Sequence, residues 1–438
     1  MSIVKKICSY YKNVIERVHA DKLFFARIDF SVSYALMQQV IIQLGQKNDT
    51  SDDNSFIHTA KQWDMIQRST ENPKEFVVLF LNYYFADRKL LPDMMHFVFN
   101  KEDIILCSVT EDIIKKELDI FVTALASELN VSYRLSADTA YLKHIEERIA
   151  SAERFYLTEH GEWIEHFADT LGDDISVTSF KTFLRQRIHG HILWDTLALY
   201  PIAPPKVTQP WRNERLTNLP PMPHLTGAAE EWLRLVLIDT FALEQYAVPG
   251  LVEARQGDTV IDAGAYIGDT ALYFAQKVGP RGQVFAFEAV PATVAAAEEN
   301  LRNNPHDALV EIVPYALSDS EKTLMFNTDL WSTAYGASDK GTLPIHAITL
   351  DSFVEERKLH VDYIKADLEG SDIDLLLGAR KTIHRDGPTC GLAVYHRQDH
   401  FIRIPQILAE ERDDYVFYFR CEAEPVLLAI TKERLSSK

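Results

Sequence analysis

Asp262, Gly264, Gly268, Glu288, Asp367, Glu369 and His396 are the residues of this chain whose types and spacing could do chemistry. The acids and the histidine follow short apolar runs: TVIDA ending at Ala263, QVFAFE ending at Glu288, VDYIKA before Asp367, and TCGLAVY before His396. Side chains at the C-terminal ends of strands line the crevice where open α/β sheets bind ligands. Gly264 and Gly268 permit a tight turn and close backbone approach, and Asp269 and Thr270 then open an amphipathic run. Strand, glycine turn and helix N-terminus together make a nucleotide pocket. Glu288 falls about 20 residues beyond the turn, where an acid grips ribose hydroxyls.

A dinucleotide fingerprint would place glycine where Asp262 and Ile267 stand. An acid at the strand end repels a pyrophosphate and attracts a ligand carrying an ammonium and a sulfonium. The loop therefore favours S-adenosylmethionine over NAD. Methyl transfer is an in-line displacement that needs alignment and, for an alcohol acceptor, a base. His396 is the expected base because an imidazole titrates near operating pH, with Asp367 and Glu369 beside it. The acids Asp367, Glu369 and Asp372, with His396 and Asp399 nearby, could instead hold Mg²⁺, which would acidify a bound hydroxyl. Lys365, next to these acids in sequence, is expected in a buried ion pair. His160 and His166 read as solvated helix-surface residues. An NAD-dependent oxidoreductase and a non-catalytic S-adenosylmethionine-binding protein are the alternatives.

The 438 residues exceed one usual domain, and 47% hydrophobic with 25% charged residues is ordinary for a globular protein. A net charge of −19 argues against nucleic acid or an anionic lipid surface as partner. A small-molecule or glycan acceptor fits better, and a homodimer stays open. The four cysteines are scattered with no C-x-x-C pair, which suits a reducing cytoplasm and disfavours zinc. The N-terminus reads as an amphipathic helix rather than a signal peptide, and no apolar stretch approaches the ~20 residues that span a bilayer.

Residues 1–44 read as helix, Phe76–Leu81 and Asp103–Ser108 as strands, and 110–129, 141–157 and 176–190 as helices. Seven prolines between Pro201 and Pro223 read as an extended linker. The expected division is an accessory domain at 1–200, mainly helical or small α/β, a linker at 201–226, and a catalytic domain at 227–438. Within the last, helices are expected at 227–246, 291–303, 373–384 and 402–411. Further strands are expected at 309–316, 321–327 and 344–350, with a polar loop holding Trp331 and Tyr335. The strands 415–421 and 426–431 are joined only by EAEP, so they must pair antiparallel. Six strand–helix steps closed by an antiparallel strand is the seven-stranded, Rossmann-like order of class I S-adenosylmethionine-dependent methyltransferases.

In order along the chain, Glu244-Gln245-Tyr246, VIDAGAYIGDT, VFAFEAVP, ALSDSE, ITLDSF, DYIKADLEGSD and LAVYHR resemble the FkbM family of methyltransferases, over roughly 244–430. Residues 171–190 are more weakly similar to segments preceding the catalytic domain in some members. The resemblance implies methyl transfer from S-adenosylmethionine, usually to a hydroxyl of a sugar or polyketide-type natural product. It places Asp262, Gly264, Ala265, Tyr266, Gly268 and Thr270 at the methionine end; Asp269 and Asp367 are also expected on the cofactor. Glu288 falls to the ribose, and Ala289, Val290 and Leu317 to the adenine. Ala366 stands where the family motif K-I-D-x-E-G has an aliphatic residue beside the carboxylate, a change expected to alter packing rather than chemistry.

Overall fold

The computed structural model describes residues 4–9, 12, 23–30, 95–100, 103–109, 133–136, 139–193, 208–228, 230–326 and 341–437. The chain forms two compact units, one of Met1–His166 with Lys181–Pro204, the other of Phe167–Phe180 with Pro205–Lys438. No helix among the described residues is long and apolar enough to cross a membrane.

The first unit holds a four-stranded sheet of β1 (Leu23–Phe30), β2 (Met95–Asn100), β3 (Asp103–Val109) and β4 (Tyr133–Ser136), in the order β2-β3-β1-β4. Every pairing is antiparallel. The strand β1 replaces part of the helix expected over 1–44. LFFARIDF is rich in aromatic residues suited to a paired, half-buried surface, and pairing on both edges overrides a helical reading. The strand at 103 and the helix at 141 appear where the sequence put them, as Asp103–Val109 and Thr139–Glu153. Phe76–Leu81, 110–129, Trp331 and Tyr335 lie outside the described residues.

The second unit is built on β5 (Thr259–Ala263), β6 (Gln283–Phe287), β7 (Leu309–Val313), β11 (Tyr363–Ala366), β12 (Thr389–Ala393), β13 (Tyr415–Arg420) and β14 (Val426–Thr431). They form one sheet in the order β13-β14-β12-β11-β5-β6-β7. The strands from β12 to β7 run parallel, and β14 is antiparallel to both β12 and β13. This is the seven-stranded class I arrangement. The reversal at β5, where β6 lies on one side and β11 on the other, opens the crevice at the strands' C-terminal ends. Every residue of β5, β11, β12 and β14 is buried, the mark of strands covered on both faces. Beside this sheet, β8 (Ala316–Leu317), β9 (Lys322–Phe326) and β10 (Leu343–Ile348) make a small sheet in the order β8-β10-β9.

Two expectations about helices change. The run at 373–384 divides into Asp372–Leu377 and Arg380–Asp386. At the break, a Cβ on Gly378 would lie 2.0 Å from the Ser318 carbonyl oxygen, so the chain turns where only glycine fits. The proline-rich stretch, expected to be extended, contains the helix Gln209–Thr217, with Pro210 in its first turn. A first-turn proline loses no helical hydrogen bond. Arg212 of that helix is fully buried and donates from Nε to the Glu422 carbonyl at 3.0 Å.

Candidate active site

The glycine turn leaves β5 with Gly264 at φ +82°, Tyr266 at φ +47° and Gly268 at φ +84°. A Cβ on Gly264 would come within 2.1 Å of the Asp367 carbonyl oxygen, so the turn and the end of β11 touch backbone to backbone. The Gly264 and Ala265 N–H groups donate to the Phe287 carbonyl, which ties the turn to the end of β6 as well. Glu288 follows: its carboxylate accepts from the Tyr266 N–H at 3.0 Å and the Val290 N–H at 2.8 Å. A carboxylate can accept about four hydrogen bonds, so capacity for ribose hydroxyls remains. Burial raises the Glu288 carboxyl above its ordinary value, and these backbone donors counter part of that. Ala289 and Val290 lead from Glu288 into the helix Pro291–Asn303, while Leu317 is buried in β8 against Ile348 of β10.

Asp262 has a different setting from the one the loop suggested. Its side chain is fully buried, accepting from Thr270 Oγ1 at 2.8 Å and lying 3.3 Å from the Lys365 ammonium. Lys365 is itself buried, and from β11 it donates to the Gly264 carbonyl at 2.6 Å and the Ala263 carbonyl at 3.2 Å. Burial would lower the Lys365 pKa, yet Asp262, Asp367 and Asp269 together raise it, so the ammonium stays charged. Asp262 and Lys365 thus hold the turn from beneath. Asp269, at the start of the next helix, accepts from Thr240 Oγ1 at 3.1 Å, and burial raises its carboxyl to about 6.

At the end of β11, Asp367 accepts from Tyr246 Oη at 2.7 Å, and Tyr395 Oη lies 3.4 Å away while donating to Glu424 at 2.7 Å. His396 projects from the segment after β12, with Nε2 3.1 Å from Asp367 Oδ1 and 3.6 Å from Glu369, and Nδ1 3.1 Å from Asp372 Oδ2. The structure therefore brings Asp367, Glu369 and His396 together, as expected. Burial would raise the Asp367 carboxyl, but His396, Lys365 and Tyr246 hold it at about 2. Glu369 is raised to about 7, by burial and by the charges of Asp367 and Asp372. Burial would lower His396, but the two aspartates beside its two nitrogens raise it well above the ordinary imidazole value. A ring flanked in this way donates protons to carboxylates, and it is poorly placed to take one from an acceptor. Glu369, held at φ +51° with its side chain about a third exposed, is the more open group.

Several contributors were not singled out as site residues in the sequence. Tyr246 was visible only as part of a motif, and Glu424 lies in the EAEP turn. Asp239 sits on the π-helical turn Ile238–Ala242, an irregularity that recurs at functional sites, and acts on Glu424 electrostatically. Among the described residues, two groups of metal-ligating side chains converge: Asp367, Glu369 and His396, and Asp372, His396 and His400. Asp399 belongs to neither and precedes the helix His400–Glu411. The spacing His396-x-x-x-His400 was the available signal for His400.

The donor chemistry of the crevice fits S-adenosylmethionine. Asp367, Glu369 and Glu424 gather at the strand ends, while Lys365 and His396 each face acids. A sulfonium and an ammonium complement this set, whereas a pyrophosphate would meet carboxylates.

Residues 262–417 match the model of the methyltransferase FkbM domain. Over 63 residues, 14% of this chain, the sequence is 35% identical to a protein-L-isoaspartate O-methyltransferase of Aeropyrum pernix. This chain spans about a quarter of the length of that curated relative. A methyltransferase FkbM from Methylobacillus flagellatus KT is similar in structure with TM-score 0.43 and 16% identity, covering 64% of this chain and 61% of that one. A fibrillarin of Aeropyrum pernix, crystallised with natively bound S-adenosyl-L-methionine, gives TM-score 0.29 and 15% identity, over 43% of this chain and 74% of that one. Residues 262–417 thus match the methyltransferase FkbM domain, on a sheet whose strands follow the class I order.

Proposed function

We propose that the chain transfers a methyl group from S-adenosylmethionine to a hydroxyl of a sugar, glycan or related natural product. The observation that supports this reading is the contact between the Gly264 turn and the end of β11, which would set a cofactor cradle beside Asp367, Glu369 and His396. When bound, S-adenosylmethionine supplies a methyl group activated by its sulfonium. The turn 264–268 and Glu288 would hold it, with Ala289, Val290 and Leu317 toward the adenine. Asp262, Thr270 and Lys365 would act on it through the shape of the turn. Asp367, fixed by Tyr246, would face the cationic end.

For the acceptor, carboxylates around the crevice suit hydroxyl donors, and Glu369 is the base the geometry favours. His396 would orient Asp367 and Glu369. The buried free thiols of Cys8, Cys390 and Cys421 support a reducing compartment such as the cytoplasm.

Calorimetry with S-adenosylhomocysteine and with NAD tests the cofactor. The expected result is binding of S-adenosylhomocysteine alone, weakened in Glu288→Ala by about 1–3 kcal/mol for a lost charged hydrogen bond. Unchanged affinity in that variant would remove the ribose assignment, and preference for NAD would remove the reading as a whole.

A further inference from the structure

On the far side of the His396 ring from Asp367 lies a second constellation, which shares only that ring with the methyl-transfer site. Asp372 opens the helix Asp372–Leu377, and His400 is the first residue of the helix His400–Glu411. We propose that Asp372, His396 and His400 form a binding site for one divalent transition-metal ion of the zinc type.

Asp372 Oδ2 lies 3.1 Å from His396 Nδ1 and 3.6 Å from His400 Nδ1. One ligand atom from each of the three residues lies within 4.8 Å of the others. A metal about 2.0–2.2 Å from each nitrogen and oxygen needs donors at roughly such separations. His400 is the decisive residue. Its side chain is fully buried, and neither ring nitrogen has a hydrogen-bond partner. Burying an imidazole with both nitrogens unsatisfied is costly, and such groups in folded proteins call for a partner. Asp372 also accepts from the Leu368 N–H at 3.0 Å and the Gly370 N–H at 3.3 Å, which explains its own burial as a loop brace. That brace leaves His400 without an explanation.

The surroundings complete the pattern. A metal-bound histidine commonly presents its other ring nitrogen to a carboxylate that fixes its orientation. His396 does so, with Nε2 3.1 Å from Asp367, which Tyr246 in turn holds. Asp367, Glu369 and Asp372 crowd around a single imidazole, and a dication would balance that excess. Two nitrogens and one oxygen suit zinc or its first-row neighbours rather than Mg²⁺, which takes oxygen ligands. Glu369, with its side chain 35% exposed, and the Tyr246-bound Asp367 make the alternative group on the other ring face a weaker enclosure.

The test uses the full chain, stripped with chelator, dialysed, and titrated with Zn²⁺ or Co²⁺ in the absence of S-adenosylmethionine and acceptor. It therefore stands apart from the methyl-transfer reading. One equivalent should bind, with d–d absorption from bound Co²⁺ and a higher thermal midpoint with Zn²⁺. His400→Gln and Asp372→Asn should lose all three signals, while the surface variant His384→Gln keeps them. X-ray absorption on the zinc-loaded wild type should show two imidazoles and a carboxylate, which decides the matter even if a variant does not fold. Absence of stoichiometric uptake, uptake unaltered in folded His400→Gln and Asp372→Asn, or a sulfur-containing shell would each overturn the site.

Discussion

The Lys365 ammonium meets the Asp262 carboxylate and two carbonyls of the glycine turn in a space closed to water. Replacing it with methionine would leave Asp262 as an uncompensated buried charge, which costs about 3–5 kcal/mol. Urea unfolding of Lys365→Met should show that loss, and the double variant with Asp262→Asn should recover part of it. Glu369→Gln should lower turnover by about 10²–10⁴-fold while S-adenosylhomocysteine affinity holds; full turnover would exclude it as base. Asp239 carries a pH signature. Burial pushes its carboxyl up to about 7, against a smaller opposing pull from Arg212. Below about pH 4 both folded and unfolded states keep the proton. Between there and 7 the unfolded chain releases it first, so rising pH weakens the fold, and above 7 the loss is complete. Thermal scans of Asp239→Asn should match wild type near pH 4 and exceed it at pH 8.

Among the elements, the turn 264–268 has little tolerance. Gly264→Ala would combine a left-handed φ with a Cβ driven into the Asp367 carbonyl, so S-adenosylhomocysteine binding should be lost even where circular dichroism shows folded protein. The positions of Asp367, Glu369 and His396 at strand ends were readable because apolar runs and glycine turns are local signals. Asp372 was grouped with His396 on the same grounds, whereas His400 was not, since it comes to Asp372 through the pitch of the helix it opens. The expected attraction of Asp262 for an ammonium met the same limit: its neighbour Lys365 comes from a strand adjacent in the sheet and distant in sequence. The helix Gln209–Thr217 was hidden for a related reason, because counting prolines says nothing of the one placed harmlessly in a first turn.

At the scale of the molecule, the second unit includes Phe167–Phe180, upstream of the proline-rich stretch. Phe180 packs against Phe401 and Phe419, and Asp173 pairs with Arg420 at 2.7 Å. A fragment beginning at residue 227 would lose these contacts and the buried Arg212. Its thermal midpoint should fall below that of a fragment beginning at 167, and equal midpoints would support the shorter domain. The Lys365 contacts also set an order of events in synthesis. The ammonium that braces Gly264 is 101 residues further along the chain, so a growing polypeptide holds the turn's sequence long before it holds the brace. Closing so long a loop is slow compared with local turns and helices. A ribosome-stalled chain ending before β11 should therefore fail to retain S-adenosylhomocysteine, and the ability to bind cofactor would arrive only once β11 has been made.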